Sequence, residues 1–262
     1  MPELPEVESY RRLAERLALD RRIGGVDGGD TWYLKGATTE LGLIAALVGR
    51  RFVAARRRGK LLLLDTDGGG PVLGLRFGMS GRLVVDGVVG IDELWRSPSR
   101  QDARWDRFRV RFADGGAMAI SDPRRLGGVQ LDPLEERLGP DALTLRLPEL
   151  RRALAGSTAP LKARLLDQAH LAGVGNLIAD EALWRAGLSP LRPAGSLNDA
   201  ELRRLHRHLR GTVTDFIDGG GSHTGRLMAE RHPGGHCPKD HAELVRSTVG
   251  GRTSWYCPVH QR

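Results

Sequence analysis

Residues 161–187 read LKARLLDQAHLAGVGNLIADEALWRAG. Leucine and alanine recur there at three- and four-residue intervals on either side of a glycine-rich interruption, LAGVGN at 171–176, which marks a turn between two helical segments. The glycines let backbone N–H groups and the Asn176 amide come close to a phosphate, and the N-terminus of the following helix adds favourable partial charge. The same residues suit a plain helix–helix connection, so on their own they leave both readings open.

Helical texture surrounds this turn from 145 to 218, rich in Leu, Ala and Arg. Upstream, LDPLEERLGPDALTL at 131–145 carries proline and acidic turn signals with little period, the mark of a linker. From about 20 to 130 the chain is made of short runs such as KLLLLDT (60–66), PVLGLRF (71–77), GRLVV (81–85) and AMAISD (117–122). Gly and Asp-Gly turns separate them, the pattern of antiparallel strands in a sandwich. Residues 5–19 place Val7, Tyr10, Leu13, Ala14 and Leu17 on one helical face, so an amphipathic helix leads the strands. The predicted class is α+β, with a β-sandwich domain at 1–130, a helical domain at 131–222 and a small module at 223–262.

That module carries Cys237-Pro-Lys-Asp240-His241 and Cys257-Pro-Val-His260 at the ends of a predicted hairpin, ELVRST (243–248) and TSWYC (253–257) around a Gly-Gly turn. Each end offers a thiolate and an imidazole, which suits tetrahedral zinc, and so short a segment buries too little apolar surface to fold unaided. Matching the two-residue gap of the second pair selects Asp240, whereas ligand chemistry favours His241. The expected set is Cys237, His241, Cys257 and His260 around one structural zinc ion. An ordinary hairpin with surface histidines is the alternative.

Composition narrows the partner. The 262 residues include 40 Lys and Arg against 32 Asp and Glu, with a pI near 10.2, which favours a polyanion over an acidic protein or a neutral metabolite. No apolar run approaches the ~20 residues of a spanning helix and no basic-then-apolar leader opens the chain, so a membrane partner is set aside and a cytoplasmic monomer is expected. Nucleic acid leads. Basic runs in predicted loops, RRRGK (56–60) and DPRRLG (122–127), project cations from a rigid sheet. Met79, in the turn FGMSG, is flexible and apolar, able to enter a gap in a base stack if exposed and an ordinary core residue if not.

The opening octapeptide, MPELPEVE, bears on chemistry. At pH 7 a lysine of pKa ~10.4 is unprotonated in a few molecules per ~10,000, an α-amino group of pKa ~7.8 in roughly a tenth. Removal of Met1 makes Pro2 a secondary amine that can form an iminium with a sugar aldehyde carbon, and Glu3 beside it can protonate a departing or ring-opening oxygen. Proline and glutamate are also ordinary first-turn residues of a helix.

Together and in this order, MPELPEVE, RRRGK, FGMSG, SDPRRLGG (121–128), the stretch 161–187 and GGRTSWYCPVHQ (250–261) closely resemble the formamidopyrimidine-DNA glycosylase and endonuclease VIII family across nearly the whole chain. The resemblance implies a helix-led β-sandwich, a helix-two-turns-helix domain and a C-terminal zinc finger, acting on damaged double-stranded DNA. It implies Pro2 as Schiff-base nucleophile, Glu3 as proton donor and Glu6 as support for the acid–base network. Lys60 would contact phosphate and assist β-elimination. Asn176 and Arg252 would clamp two further phosphates, Arg252 also serving δ-elimination, and Lys162 would be another DNA-contacting lysine. Met79, Arg124 and Leu126, with Arg125 beside them, would fill the space left by an extruded nucleotide. The implied activity is that of a bifunctional DNA glycosylase and AP lyase of base excision repair, removing oxidised or ring-opened bases.

Three features depart from the family pattern. Leu126 stands where the formamidopyrimidine branch usually has an aromatic wedge, which weakens stacking on the remaining bases. The finger mixes cysteine and histidine where the familiar one has four cysteines. The segment between Phe216 and Cys237 is short and lacks the long loop that closes over an oxidised purine, although the head PELPEVE is of the formamidopyrimidine type. An AP-site lyase and a non-catalytic damaged-DNA-binding protein are therefore carried as alternatives, and lesion preference stays open.

Overall fold

An amphipathic helix, α1 (Leu4–Leu17), opens the chain and buries Val7, Tyr10, Leu13 and Ala14 on one face, the spacing read from the sequence. The computed structural model describes residues 2–28, 30–91, 94 and 102–262. Met1, whose removal is expected, lies outside them. The chain divides into two compact units, the first holding Pro2 with 6–135 and the second Glu3–Pro5 with 136–262.

After α1, the first unit contains β1 (Ile23–Asp27), α2 (Glu40–Leu47), β2 (Phe52–Arg58), β3 (Leu61–Thr66), β4 (Leu73–Arg76), β5 (Arg82–Val85), β6 (Val88–Val89), β7 (Asp106–Phe112), β8 (Ala117–Ser121) and β9 (Gly128–Leu131). These strands form two antiparallel sheets, in the orders β2-β3-β4-β9 and β1-β7-β8-β5-β6. Alternate side chains, Leu62 and Leu64 from one sheet and Phe108 and Val110 from the other, share one core with α1. Tyr10 locks the helix to it, its ring 4.5 Å from that of Phe77 and its hydroxyl donating to the Gly81 carbonyl at 3.1 Å.

Helix α2 is absent from the sequence reading. Its residues, ELGLIAAL, are apolar all round, so they show no amphipathic period, and the signal that remains is Thr39, whose hydroxyl accepts from the Gly42 N–H at 3.0 Å.

The second unit contains α3 (Leu147–Leu154), α4 (Leu161–Leu166), α5 (Asn176–Ala186), α6 (Asp199–Asp218) and the hairpin β10 (Val245–Val249) with β11 (Arg252–Tyr256). Helix α6 starts in a capping box: Asn198 accepts from the Glu201 N–H at 3.0 Å, and the Glu201 carboxylate accepts from the Asn198 N–H at 2.9 Å. It buries Leu202, Leu205, Leu209, Val213 and Phe216. Helix α5 is buried on every side and ends at Gly187 in the left-handed conformation. Among the described residues no helix is long and apolar enough to cross a membrane.

Two acids lie inside α5. Asp180 is 2 % exposed, with Oδ1 2.7 Å from the Lys162 ammonium of α4 and accepting from the Ser254 hydroxyl of β11 at 3.0 Å. Its Oδ2 is 2.7 Å from the Arg231 guanidinium and accepts from the Trp255 N–H at 3.3 Å. A buried ion is tolerated only when so paired, and this one joins α4, α5 and the hairpin.

The node also corrects the role expected of Lys162. That side chain is fully buried and spends its donors on Asp180 and on the Thr253 carbonyl at 3.0 Å, so it is an internal tie and not a DNA contact. Burial pulls its ammonium below the ordinary lysine range, with Asp180 opposing. Replacing Asp180 by alanine leaves Lys162 and Arg231 buried without their counter-charge. The unfolding free energy of Asp180→Ala, measured by denaturant titration, is expected to fall by about 3–5 kcal/mol.

Candidate functional site

The first N–H groups of an α-helix have no carbonyl partner within the helix, and at α5 they are buried. Glu3 takes two of them: Oε1 accepts from the Leu177 N–H at 2.8 Å and Oε2 from the Ile178 N–H at 3.1 Å. Both oxygens of Glu3 thus receive donors, which suits a carboxylate, and the positive end of the helix reinforces the negative charge. A side chain at Gly175 would place its Cβ 2.1 Å from Glu3 Cδ, so glycine is required at that position. The LAGVGN segment is therefore a tight connection and an anion site at once. The anion it holds is a side chain of this chain, whereas the sequence left open a phosphate against those N–H groups or a plain helix–helix turn. Asn176 itself, the first residue of α5, is half-buried, and its side-chain amide oxygen, Oδ1, has no hydrogen-bond partner.

In the first unit Pro2 is buried, as is Glu6 on α1. Lys60 lies half-buried in the two-residue turn between β2 and β3. Met79 is half-buried in the turn after β4, and Arg124, Arg125 and Leu126 are exposed in the loop from β8 to β9. The Arg125 guanidinium pairs with Asp30 at 2.7 Å. Arg252, in the second unit, is exposed at the head of β11. Sequence reasoning missed the buried carboxylates Asp122 and Asp180. Asp122 showed only as an Asp-Pro turn, whereas the adjacent acids in LIADEALW did signal charge inside an apolar helix.

Cys237, Asp240, Cys257 and His260 each bring one ligand atom into a group spanning no more than 4.8 Å. Cys237 Sγ is 3.6 Å from His260 Nδ1, Cys257 Sγ is 3.2 and 3.3 Å from the Asp240 oxygens, and His260 Nδ1 is 2.7 Å from Asp240 Oδ2. Ligands of a tetrahedral ion with bonds of about 2.0–2.3 Å stand roughly 3.3–3.8 Å apart, so small shifts fit these residues around a divalent cation. Trp184 supports the set at second hand: its indole N–H donates to Cys237 Sγ at 3.3 Å, and its carbonyl lies 3.1 Å from His260 Nε2, leaving Nδ1 towards the cluster. Burial pushes the Cys257 thiol up to about 11, so binding a cation displaces a proton.

His241, the expected second ligand, stands outside this group. Its N–H closes the turn on the Cys237 carbonyl at 2.9 Å, its φ of 60° is left-handed, and its side chain is exposed. The turn delivers the residue three after Cys237, and that residue is Asp240 whatever the ligand preference of a free metal ion.

The profile of the formamidopyrimidine-DNA glycosylase N-terminal domain matches residues 1–129, and that of the formamidopyrimidine-DNA glycosylase H2TH domain matches residues 133–226. A helix-led sandwich followed by such a domain and a Cys/His hairpin defines a class of DNA glycosylases. Formamidopyrimidine-DNA glycosylases of Thermus thermophilus and Cereibacter sphaeroides are 36% and 34% identical to this chain, covering 100% of it and 98% and 100% of themselves. Two crystal structures of Lactococcus lactis Fpg superpose with a TM-score of 0.83. One, with abasic-site DNA, is 26% identical and covers 100% of both chains; the other, with FAPY-dG DNA, is 27% identical and covers 99% of this chain and 100% of its own. The chain belongs to the formamidopyrimidine-DNA glycosylase family.

Elemental analysis of the purified, dialysed protein tests the ligand set. Asp240→Ala should abolish stoichiometric divalent-metal binding, while His241→Ala should retain it.

Proposed function

We propose that this chain removes oxidised or ring-opened bases from duplex DNA and then nicks the strand at the base-free sugar. The observation that carries the reading is Glu3, fixed on the first turn of α5 one residue after a proline, in a chain that aligns end to end with formamidopyrimidine-DNA glycosylases. While Met1 is attached, the Pro2 nitrogen is a tertiary amide without a nucleophilic lone pair. Once Met1 is removed it is a secondary amine with the lowered basicity of an α-amino group.

As the Pro2 nitrogen bonds to C1′ its proton passes to the Glu3 carboxylate, and the glycosidic electron pair leaves with the base. Glu3 then gives that proton to O4′ as the ring opens to an iminium. Loss of a C2′ proton expels the 3′ phosphate, where Lys60 stands, and a second elimination expels the 5′ phosphate with help from Arg252. Glu6 supports this proton traffic. Asn176, Lys60 and Arg252 hold backbone phosphates, while Met79, Arg124 and Leu126, flanked by Arg125, occupy the gap in the stack. Zinc, held by Cys237, Asp240, Cys257 and His260, would hold the hairpin that carries Arg252 and take no part in the reaction. The working form is a monomer, its sandwich at 1–130, its helix-two-turns-helix domain at 131–222 and its finger at 223–262.

Borohydride present during incubation should trap a covalent protein–DNA adduct with duplexes bearing an oxidised base or a base-free site. A protein with a tag ahead of Met1 should give no adduct yet bind DNA with the usual salt sensitivity. Glu3→Gln should bind DNA and fail to release the damaged base. An adduct from the base-free duplex alone would leave only a lyase, and none from either would leave a damaged-DNA-binding protein.

A further inference from the structure

Asp122 is fully buried, and the mechanism above leaves it unused. Its Oδ1 accepts from the Ser80 hydroxyl at 2.5 Å and the Arg124 N–H at 3.2 Å. Its Oδ2 accepts from the Leu126 N–H at 3.0 Å, the Gly127 N–H at 2.9 Å and the Tyr33 hydroxyl at 3.2 Å. Ser80 follows Met79, and three of the other donors are backbone groups of the loop that carries Arg124 and Leu126. One carboxylate thereby joins three separate pieces of chain, the turn at Ser80, the loop at 124–127 and Tyr33.

Two further contacts tighten the junction. Gly78, just before Met79, has a φ of +57°, and a Cβ there would lie 2.3 Å from the Leu126 carbonyl carbon, so turn and loop touch through their backbones. Arg125 has a left-handed φ of 55°, uncommon for a residue with a side chain, and Asp30 holds its guanidinium through two hydrogen bonds of 2.7 Å. The side chains of Met79, Arg124 and Leu126 therefore spring from a frame fixed from beneath.

We propose that Asp122 is a positioning residue for nucleotide extrusion, holding the Met79 turn and the Arg124–Leu126 loop in one register so that their side chains enter the duplex as a unit. The inference rests on reading those three side chains as the ones that replace the extruded nucleotide. A preset frame matters more here than behind an aromatic wedge, because the smaller Leu126 gains less from stacking and has less to set against the cost of ordering a loose loop.

Asp122→Asn keeps the shape but turns one oxygen into a donor facing donors, and Ser80→Ala cuts only the link between turn and loop. Duplexes carrying a lesion next to 2-aminopurine report stack opening by fluorescence and excision by single-turnover rate. Both variants should keep their DNA affinity, lose most of the fluorescence step and excise roughly tenfold to a hundredfold more slowly. In cycles with Leu126→Ala their losses should fall short of additive. A merely structural Asp122 would lower the melting temperature and leave the fluorescence step of the folded protein intact, which overturns the proposal. Should Asp122→Asn fail to fold, Ser80→Ala carries the same test. Wild-type excision by Met79→Ala and Leu126→Ala would remove the underlying reading and the proposal with it. Impaired excision by those two, with Asp122→Asn and Ser80→Ala unimpaired or additive, would overturn the positioning role alone.

Discussion

Buried N–H groups at the head of α5 must find an acceptor, since each one left unsatisfied costs about 1–3 kcal/mol. The acceptor is Glu3, more than 170 residues away in sequence. Chain ends ordinarily fray. This one is pinned by a bidentate carboxylate and by Leu4, which is fully buried in the second unit's core. In the proposed reaction the nucleophile, Pro2, precedes this fixed point and gains the preorganisation that a mobile tail would lack.

Helix α5 carries that constraint onward through the second unit. Its first turn holds Glu3, Asp180 in its second turn ties in Lys162, Arg231 and the hairpin, and Trp184 near its end braces Cys237 and His260. Eleven residues at about 1.5 Å each make a rod of roughly 16 Å. The Glu3 carboxylate and the hairpin bearing Arg252 are therefore kept at a set spacing by one rigid element. The proposed reaction, which holds a phosphate while a neighbouring sugar is attacked, would draw on that spacing.

Much of this was legible in the residues. Helices α1 and α6 announce themselves by an apolar face, the strands by short runs between Gly-containing turns, and the hairpin by two ligand pairs around Gly250 and Gly251. Where the reading went astray, a tertiary partner decided. Lys162 looks like a surface cation until Asp180, eighteen positions on, is seen to draw it inside. His241 is the better ligand by chemistry, yet a left-handed backbone angle turns it out and leaves Asp240 in place. Asp122 is visible as a turn residue, but its link to Ser80 spans 42 positions and no local pattern reveals it. Local periodicity marks the elements, while long-range charge and hydrogen bonding select the working side chains.

The ligand group at the C-terminal hairpin contains two sulfur atoms, with nitrogen and oxygen completing it. Thiolates are the donors that peroxide converts to sulfenic acid or a disulfide, while imidazole and carboxylate stand apart from that ladder. A four-thiolate finger has twice as many points at which an oxidant can begin to eject the metal. A hairpin of this kind, once loaded with a cation, would offer an oxidant two sulfur ligands, Cys237 and Cys257, where a four-thiolate finger offers four.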